Sequence, residues 1–452
     1  MLDRSKEAFD YYRYLIASDM KAADEQHDML MHLQNEHNTL FGGRPLSASL
    51  TPMILSEGTY QYIQDTVYVI RQAILKISAA FFNNMHTLRE LGMTEREIEL
   101  AAIPTNVIRM SASARLDAFL THNSFKFVEL NAESPAGIAY CHEMAKIYRK
   151  LPIFQKFTER YPVRFVSPLE HLVHGFLSVY HEEFDGREDR PAFAIVDHLD
   201  IPTYPEFLLI KNYLEGLGMP CEIADPRNLE IKDGFIYANG RKIDILYRRL
   251  LMNEFFDIID DCGNYMEGYR AQKTCFLNSF RTKLVHKKHI FSLLTDSAYM
   301  SVLDNAEIKA IRQHIPWTRK LRDRKERYMG REVDLLPMIR KHPERFVIKP
   351  NDDYGGHGVV LGFRCTQKEW DDAIDKALKT DFVVQEIVDI SKQPFMLKIN
   401  GNWEDKETII DLDPYLNGPM MGGCLTRTAF DNLANVTAGG GSLPMFIARY
   451  LR

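Results

Sequence analysis

The sequence predicts a mixed α/β and α+β protein assembled from several lobes. Three observations carry that expectation. The first hundred or so residues have helical apolar spacing, a β–α–β pattern starts at Pro191, and two short apolar strands in the last third each deliver polar groups. The chain has 452 residues, enough for about three domains. Apolar residues make up 45% and charged residues 26%, which excludes disordered and fibrous classes. The net charge of −6 argues against sequence-independent nucleic-acid binding, which needs a basic excess. It leaves room for a local cationic pocket.

No apolar run approaches the ~18 residues of a membrane span. Met1-Leu2-Asp3-Arg4-Ser5-Lys6-Glu7 is charged at once and has no apolar signal core. The expectation is a cytoplasmic protein with no membrane and no nucleic-acid partner. Cys141, Cys221, Cys262, Cys275, Cys365 and Cys424 lie far apart, and no C-x-x-C occurs. Neither a zinc knuckle nor a disulfide framework is expected, so the thiols should be reduced and mostly buried.

Ser5 to His37 reads as amphipathic helix, interrupted after it by Gly42-Gly43-Arg44-Pro45. Glu57 to Asn83 places Ile63, Val67, Ile70, Ile74, Ile77 and Phe81 at helical spacing. Thr94 followed by Glu97 is a capping-box spacing. His27, His32 and His37 are five apart, not four, so no helical metal pair is expected. Residues 1–110 are therefore assigned as a helical region without chemistry. Leu116–Leu120 and Phe125–Leu130 predict two strands around the turn Thr121-His122-Asn123-Ser124, and a helix should follow Pro135-Ala136-Gly137.

Phe193–Val196 predicts a buried strand, Glu206–Leu217 a helix and Cys221–Ala224 a second strand. Asn239-Gly240 marks a hairpin turn that leads into Ile243–Tyr247. No G-x-G-x-x-G follows the first of these strands; Asp197-His198-Leu199-Asp200 stands there, so no dinucleotide site is expected. Arg248 and Arg249 at the end of the Tyr247 strand fit either an anionic substrate or a structural role. Arg319 to Arg331, rich in Lys and Arg, reads as a solvated face or loop. No G-x-S-x-G or Ser/His/Asp set appears.

Three constellations carry chemistry. The strand Arg345–Pro350 delivers Lys349, and a glycine-rich turn with Gly355, Gly356 and Gly358 follows. Such turns let backbone N–H groups approach an anion, and the lysine adds a point charge. The strand Phe382–Val388 ends in Gln385-Glu386, where backbone and side chains could meet a purine edge. Third, Arg115 and Asp117 share one strand face, as do Glu129 and Asn131. If the two strands pair, two carboxylates, an amide oxygen and a guanidinium converge. That donor set suits Mg²⁺, with the arginine facing a phosphate.

Together these residues resemble the ATP-grasp superfamily, whose usual parts are a strand lysine, a glycine-rich lid loop, a Gln/Glu-Glu adenine hinge and an R-x-D … E-x-N strand pair. Here the strand pair precedes the lysine and lid, which resembles the circularly permuted ATP-grasp proteins, carboxylate–amine ligase-like and glutathionylspermidine synthase-like. Val285-His286-Lys287-Lys288, Gly422-Gly423-Cys424-Leu425-Thr426-Arg427 and Asn435-Val436-Thr437-Ala438-Gly439-Gly440-Gly441 are further matches. The resemblance runs from about Arg115 to Leu443.

It implies an ATP-grasp fold with permuted connectivity. Residues 111–150 would give the metal strands, 155–290 a pre-ATP-grasp-like α/β lobe, and 291–452 the lid and remaining sheet. It also implies ATP and Mg²⁺, with Asp117, Glu129 and Asn131 as metal ligands. Lys288 and Lys349 would meet the phosphates, with Gly355, Gly356 and Gly358 closing over them. Gln385, Glu386 and Val388 would hold adenine, and Arg115 and Arg427 would be the catalytic cations. The implied activity is ligation of a small-molecule carboxylate to an amine, such as an amino acid, peptide or polyamine, through an acylphosphate. The competing readings are a nucleotide-binding regulatory protein without ligase activity and an ATP-dependent phosphotransferase.

Overall fold

A computed structural model describes residues 3–353, 355–390, 392–399, 401–418, 420–429 and 441–449. Tyr354 and the glycine-rich run 435–440 lie outside the described residues. The N-terminal helical stretch is two helices, Asp3–Ser18 and Met20–Glu36. It divides at Asp19, whose extended backbone ends one helix while its carboxylate accepts from the Ala22 N–H at 3.0 Å to cap the next. The helix Glu57–Phe81 turns Ile63, Val67, Ile70, Ile74 and Ile77 into the core. At Glu95–Ala101 the capping box forms in both directions: Thr94 N–H to Glu97 at 2.7 Å, and Glu97 N–H to the Thr94 hydroxyl at 3.2 Å.

The central sheet is antiparallel and joins distant parts of the chain. Its order is Gly441–Leu443, Met420–Ala429, Asn402–Asn417, Ser113–Leu120 and Phe125–Asn131, with Lys392–Ile399 also paired to Asn402–Asn417. The two early strands pair as expected, with Arg115 opposite Asn131 and Asp117 opposite Glu129. A register shift between Asp117 and Ala118 bends the hairpin where its polar face begins. One hydrophobic core unites the helix Glu57–Phe81 with Leu116 and Phe127 of this sheet and with Ile410 and Leu412.

A second sheet is parallel, in the order Cys275–Leu277, Ile245–Arg248, Phe193–Val196, Cys221–Ala224. From its two central strands the chain leaves in opposite directions. Phe193–Val196 connects through the helix Tyr204–Gly216 to Cys221–Ala224 on one side, and Ile245–Arg248 connects to Cys275–Leu277 on the other. Such a reversal opens a crevice at the carboxyl ends of the strands. The Asn239-Gly240 turn is present, with φ of 50° and 78° and Ala238 opposite Arg241.

A third sheet, Thr318–Lys320, Phe382–Glu386, Phe346–Pro350 and Val360–Leu361, covers an apolar core with Trp370 and Ile374 at its centre. The charged run 319–331 is solvated at Asp323, Lys325, Arg327 and residues 329–331, as its composition suggests, but not at its start. Arg319 is buried and donates to Glu326 at 2.8 Å, because Thr318–Lys320 pairs with Phe382–Glu386 inside this sheet. Among the described residues the six cysteines are free, five of them buried. No helix there is long and apolar enough to cross a membrane.

Candidate functional site

A cleft of about 840 Å³ opens between the three sheets. The central sheet contributes Arg115, Asp117, Glu129, Asn131, Asp411 and Arg427 to its walls. The third sheet and the segments beside it contribute Lys349, Gly355, Gly356, Gln385, Glu386 and Val388. Residues that lie more than two hundred positions apart in the chain thus border one space. Lys288, which is buried, and Gly358, which is exposed, are not among the residues that line it. Lys288 forms an ion pair with Glu129 at 3.5 Å, and its ammonium donates to the Asp353 carbonyl at 2.5 Å. Gly358 has a φ of +68°, and a Cβ there would lie 2.6 Å from Pro350 Cγ, so only glycine fits this turn.

The arginines are held by a buried carboxylate cluster. Arg115 grips Asp117 with two hydrogen bonds, Nε at 2.7 Å and Nη2 at 3.0 Å. Arg427 reaches the same carboxylate at 2.8 Å, bonds Asp411 through Nε at 2.8 Å, and lies 3.0 Å from Asp413. Burial alone would raise the Asp117 carboxyl, but Arg115 and Arg427 hold it well below the usual carboxylate range. Burial wins at the other two acids: Asp411 is pushed up to about 6 against the pull of Arg427, and Asp413 is raised well above its ordinary value.

Asp117, one of the three expected metal ligands, is engaged by other side chains in this structure. Both Asp117 oxygens already accept from guanidinium groups, and Oδ1 also accepts from the Asn131 amide at 3.1 Å. The cause is geometric: i, i+2 spacing puts Arg115 beside Asp117, and Arg427 reaches across the sheet. Glu129 and the Asn131 carbonyl oxygen remain as hard oxygen donors on the wall. Among the described residues no three His, Cys, Asp or Glu side chains form a closed metal cage. One carboxylate and one amide oxygen fit Mg²⁺, which usually takes few protein ligands and completes its shell with phosphates and water.

Gln385 is engaged as well. Its Oε1 accepts from the Lys349 ammonium at 2.7 Å and its Nε2 donates to the Thr318 hydroxyl at 3.0 Å. The side chain is buried and bonded at both ends, so in this structure it orients Lys349. The register explains this: Lys349 lies opposite Val383, which makes Gln385 its diagonal neighbour on the same face. Burial lowers Lys349 to about 8, although Glu129 and Asp117 oppose the shift. Glu386 accepts from the Tyr328 hydroxyl at 2.7 Å at the rim, with Val388 beyond it.

A second buried network fixes the loop start. Lys283 pairs with Glu133 at 3.1 Å and Asp352 at 2.6 Å, and Lys287 pairs with Glu97 at 3.0 Å and Asp352 at 3.1 Å. Arg248 joins it through Glu133 at 3.2 Å and is fully buried, which makes it structural. Arg249 instead lines the cleft and pairs with Glu206 at 3.3 Å. Sequence reasoning missed Asp411 and Asp413. Their signal was the same i, i+2 alternation, within Ile409-Ile410-Asp411-Leu412-Asp413.

No family model matches the chain. Uncharacterised proteins of Mycobacterium tuberculosis and Mycobacterium leprae are each 20% identical, over 432 and 431 residues. Those matches cover 88% of this chain and 73% and 72% of the relatives. Among solved structures, the apo form of a glutathione synthetase-like effector from Globodera pallida superposes with a TM-score of 0.59 at 11% identity. That match covers 94% of this chain and 96% of the effector. The two chains therefore share a fold over most of their length.

Proposed function

We propose that the protein is an ATP-dependent ligase that joins a carboxylate to an amine through an acylphosphate, on an ATP-grasp fold with permuted connectivity. The observation that supports it is the meeting of Lys349, the Arg115 and Arg427 pair, Glu129 and Asn131 on one cleft. In this reading residues 111–150 supply the metal strands, 155–290 the α/β lobe and 291–452 the lid. Lys288 and Lys349 bind the ATP phosphates, and Gly355, Gly356 and Gly358 close over them. Backbone groups at Glu386 and Val388 hold adenine against the apolar wall of Val347 and Leu361.

Glu129 and Asn131 would hold Mg²⁺. When bound, Mg²⁺ neutralises phosphate charge as the γ-phosphoryl group moves. A substrate carboxylate oxygen attacks the γ-phosphorus, the bond to the bridging oxygen breaks, and ADP leaves. A neutral amine nitrogen then attacks the acyl carbon, phosphate departs, and the nitrogen gives up a proton. Arg115 and Arg427, fixed by Asp117 and Asp411, neutralise the transferring phosphoryl group and the tetrahedral intermediate. Catalysis in this scheme is positioning and charge neutralisation.

A screen of ADP release over paired amino acids, small peptides and polyamines tests the reading. ADP release that requires both an acid and an amine supports it. Release with one substrate alone points to a phosphotransferase, and no release with any pool points to a nucleotide-binding protein without ligase activity.

A further inference from the structure

The crevice of the parallel sheet holds a carboxylate with no ion-pair partner among the described residues. Asp197 directly follows Phe193–Val196, and Arg249 directly follows Ile245–Arg248. These are the two adjacent strands whose connections part in opposite directions, the place where open α/β sheets take ligands. Both residues line the large cleft. Asp197 is only 6% exposed. Its Oδ1 accepts from the His198 N–H at 2.7 Å. Among the described residues no basic side chain forms an ion pair with it.

The nearby guanidinium groups are committed elsewhere, Arg248 to Glu133 at 3.2 Å and Arg249 to Glu206 at 3.3 Å. Glu254 stands on the same wall and adds negative charge, with Oε2 accepting from the Leu251 N–H at 2.9 Å. A buried carboxylate left without a partner is costly, and a bound cation is the direct remedy. Burial in fact pushes the Asp197 carboxyl up to about 7, against Arg249, with Glu254 adding to the rise.

We propose that Asp197, with Glu254 beside it, is a subsite for a protonated nitrogen of the substrate, an ammonium or guanidinium group remote from the reacting atoms. The attacking nitrogen of a ligase must be neutral, so the charge held here belongs to a second basic group. The amine substrate is then dibasic, a diamine or a basic amino acid. The inference rests on the ligase reading for calling this molecule a substrate; binding to the subsite does not need turnover.

The test is calorimetry on the full chain without nucleotide. The probes are putrescine, cadaverine, L-lysine and L-arginine, with butylamine and norleucine as analogues that lack the second cation. At least one dibasic probe should bind, its monobasic analogue should bind at least about tenfold more weakly, and Asp197→Asn should cost about the same factor. Asp197→Asn keeps the acceptor for His198 and removes a buried charge, so its thermal unfolding midpoint should equal or exceed that of the wild type. Equal affinity in wild type and Asp197→Asn, or no binding of any dibasic probe at millimolar concentration, overturns the subsite. Dibasic binding without ADP release would overturn the ligase reading and leave the subsite standing. ADP release driven equally well by monobasic amines in wild type and Asp197→Asn would do the reverse.

Discussion

Lys349 and Gln385 form one unit: the ammonium donates to the amide oxygen at 2.7 Å while the amide nitrogen is anchored on Thr318 at 3.0 Å. A long flexible lysine thereby points into the cleft before any phosphate arrives. Preorganised charge binds more tightly, because less rotamer entropy is lost on binding. Gln385→Leu should therefore weaken ATP affinity by about tenfold, and Lys349→Ala by more. Calorimetry with ATP and Mg²⁺ measures both. Wild-type affinity in Gln385→Leu would remove the positioning role.

The same lysine gives a pH dependence with a defined sign. Burial lowers it from 10.5 to about 8, so the protonated form dominates below about pH 8. Phosphate binds the protonated form. ATP affinity should be flat from pH 6.5 to 7.5 and then fall, approaching about tenfold per unit above pH 8. The unliganded protein should behave oppositely. Its unfolded lysine holds the proton more tightly, so the Lys349 contribution to stability rises between about pH 8 and 10.5. Parallel titrations of ATP affinity and thermal midpoint check both signs. ATP affinity that stays constant to pH 9.5 would contradict the assignment.

Glu129→Gln and Asn131→Ala remove the two oxygen donors left on the hairpin wall. Neither side chain belongs to the hydrophobic core. Both variants should fold with near wild-type unfolding midpoints and lose Mg²⁺-dependent turnover by at least about a hundredfold. Full activity in both would place the metal elsewhere.

Parts of this site were legible and parts were not, for physical reasons. Arg115, Asp117, Glu129 and Asn131 could be read as one face because strand side chains alternate with a period of two. The same rule applies to Asp411 and Asp413, which alternate with the apolar Ile410 and Leu412. Arg319 was misread because a charge run counts residues and not partners; Glu326 neutralises it inside the third sheet. The role of Asp117 could not be read locally at all. It depends on Arg427, 310 positions away, which only the strand Asn402–Asn417 brings within reach.

That long-range dependence makes Asp117 the most sensitive test of the cluster. Asp117→Asn keeps the shape and one acceptor oxygen, and it removes the charge that faces both Arg115 and Arg427. Two guanidinium groups, each largely buried, would then share Asp411 and Asp413, which burial already pushes toward the neutral form. Breaking a buried pair by removing one partner costs roughly 3–5 kcal/mol. The variant should unfold several degrees lower than wild type. The gap to wild type should narrow as pH rises through about 6: wild-type Asp411 gives up its proton there at a cost in stability, whereas the variant's Asp411 no longer faces the Asp117 charge that holds its carboxyl up. If Asp117 were instead a metal ligand without a structural role, the unfolding midpoint without metal would not move, and only the Mg²⁺ dependence of turnover would change. Scanning calorimetry at pH 5.5 and 7.5, with and without Mg²⁺, separates these outcomes. A midpoint shift that is independent of Mg²⁺ and shrinks at the higher pH is the expected result.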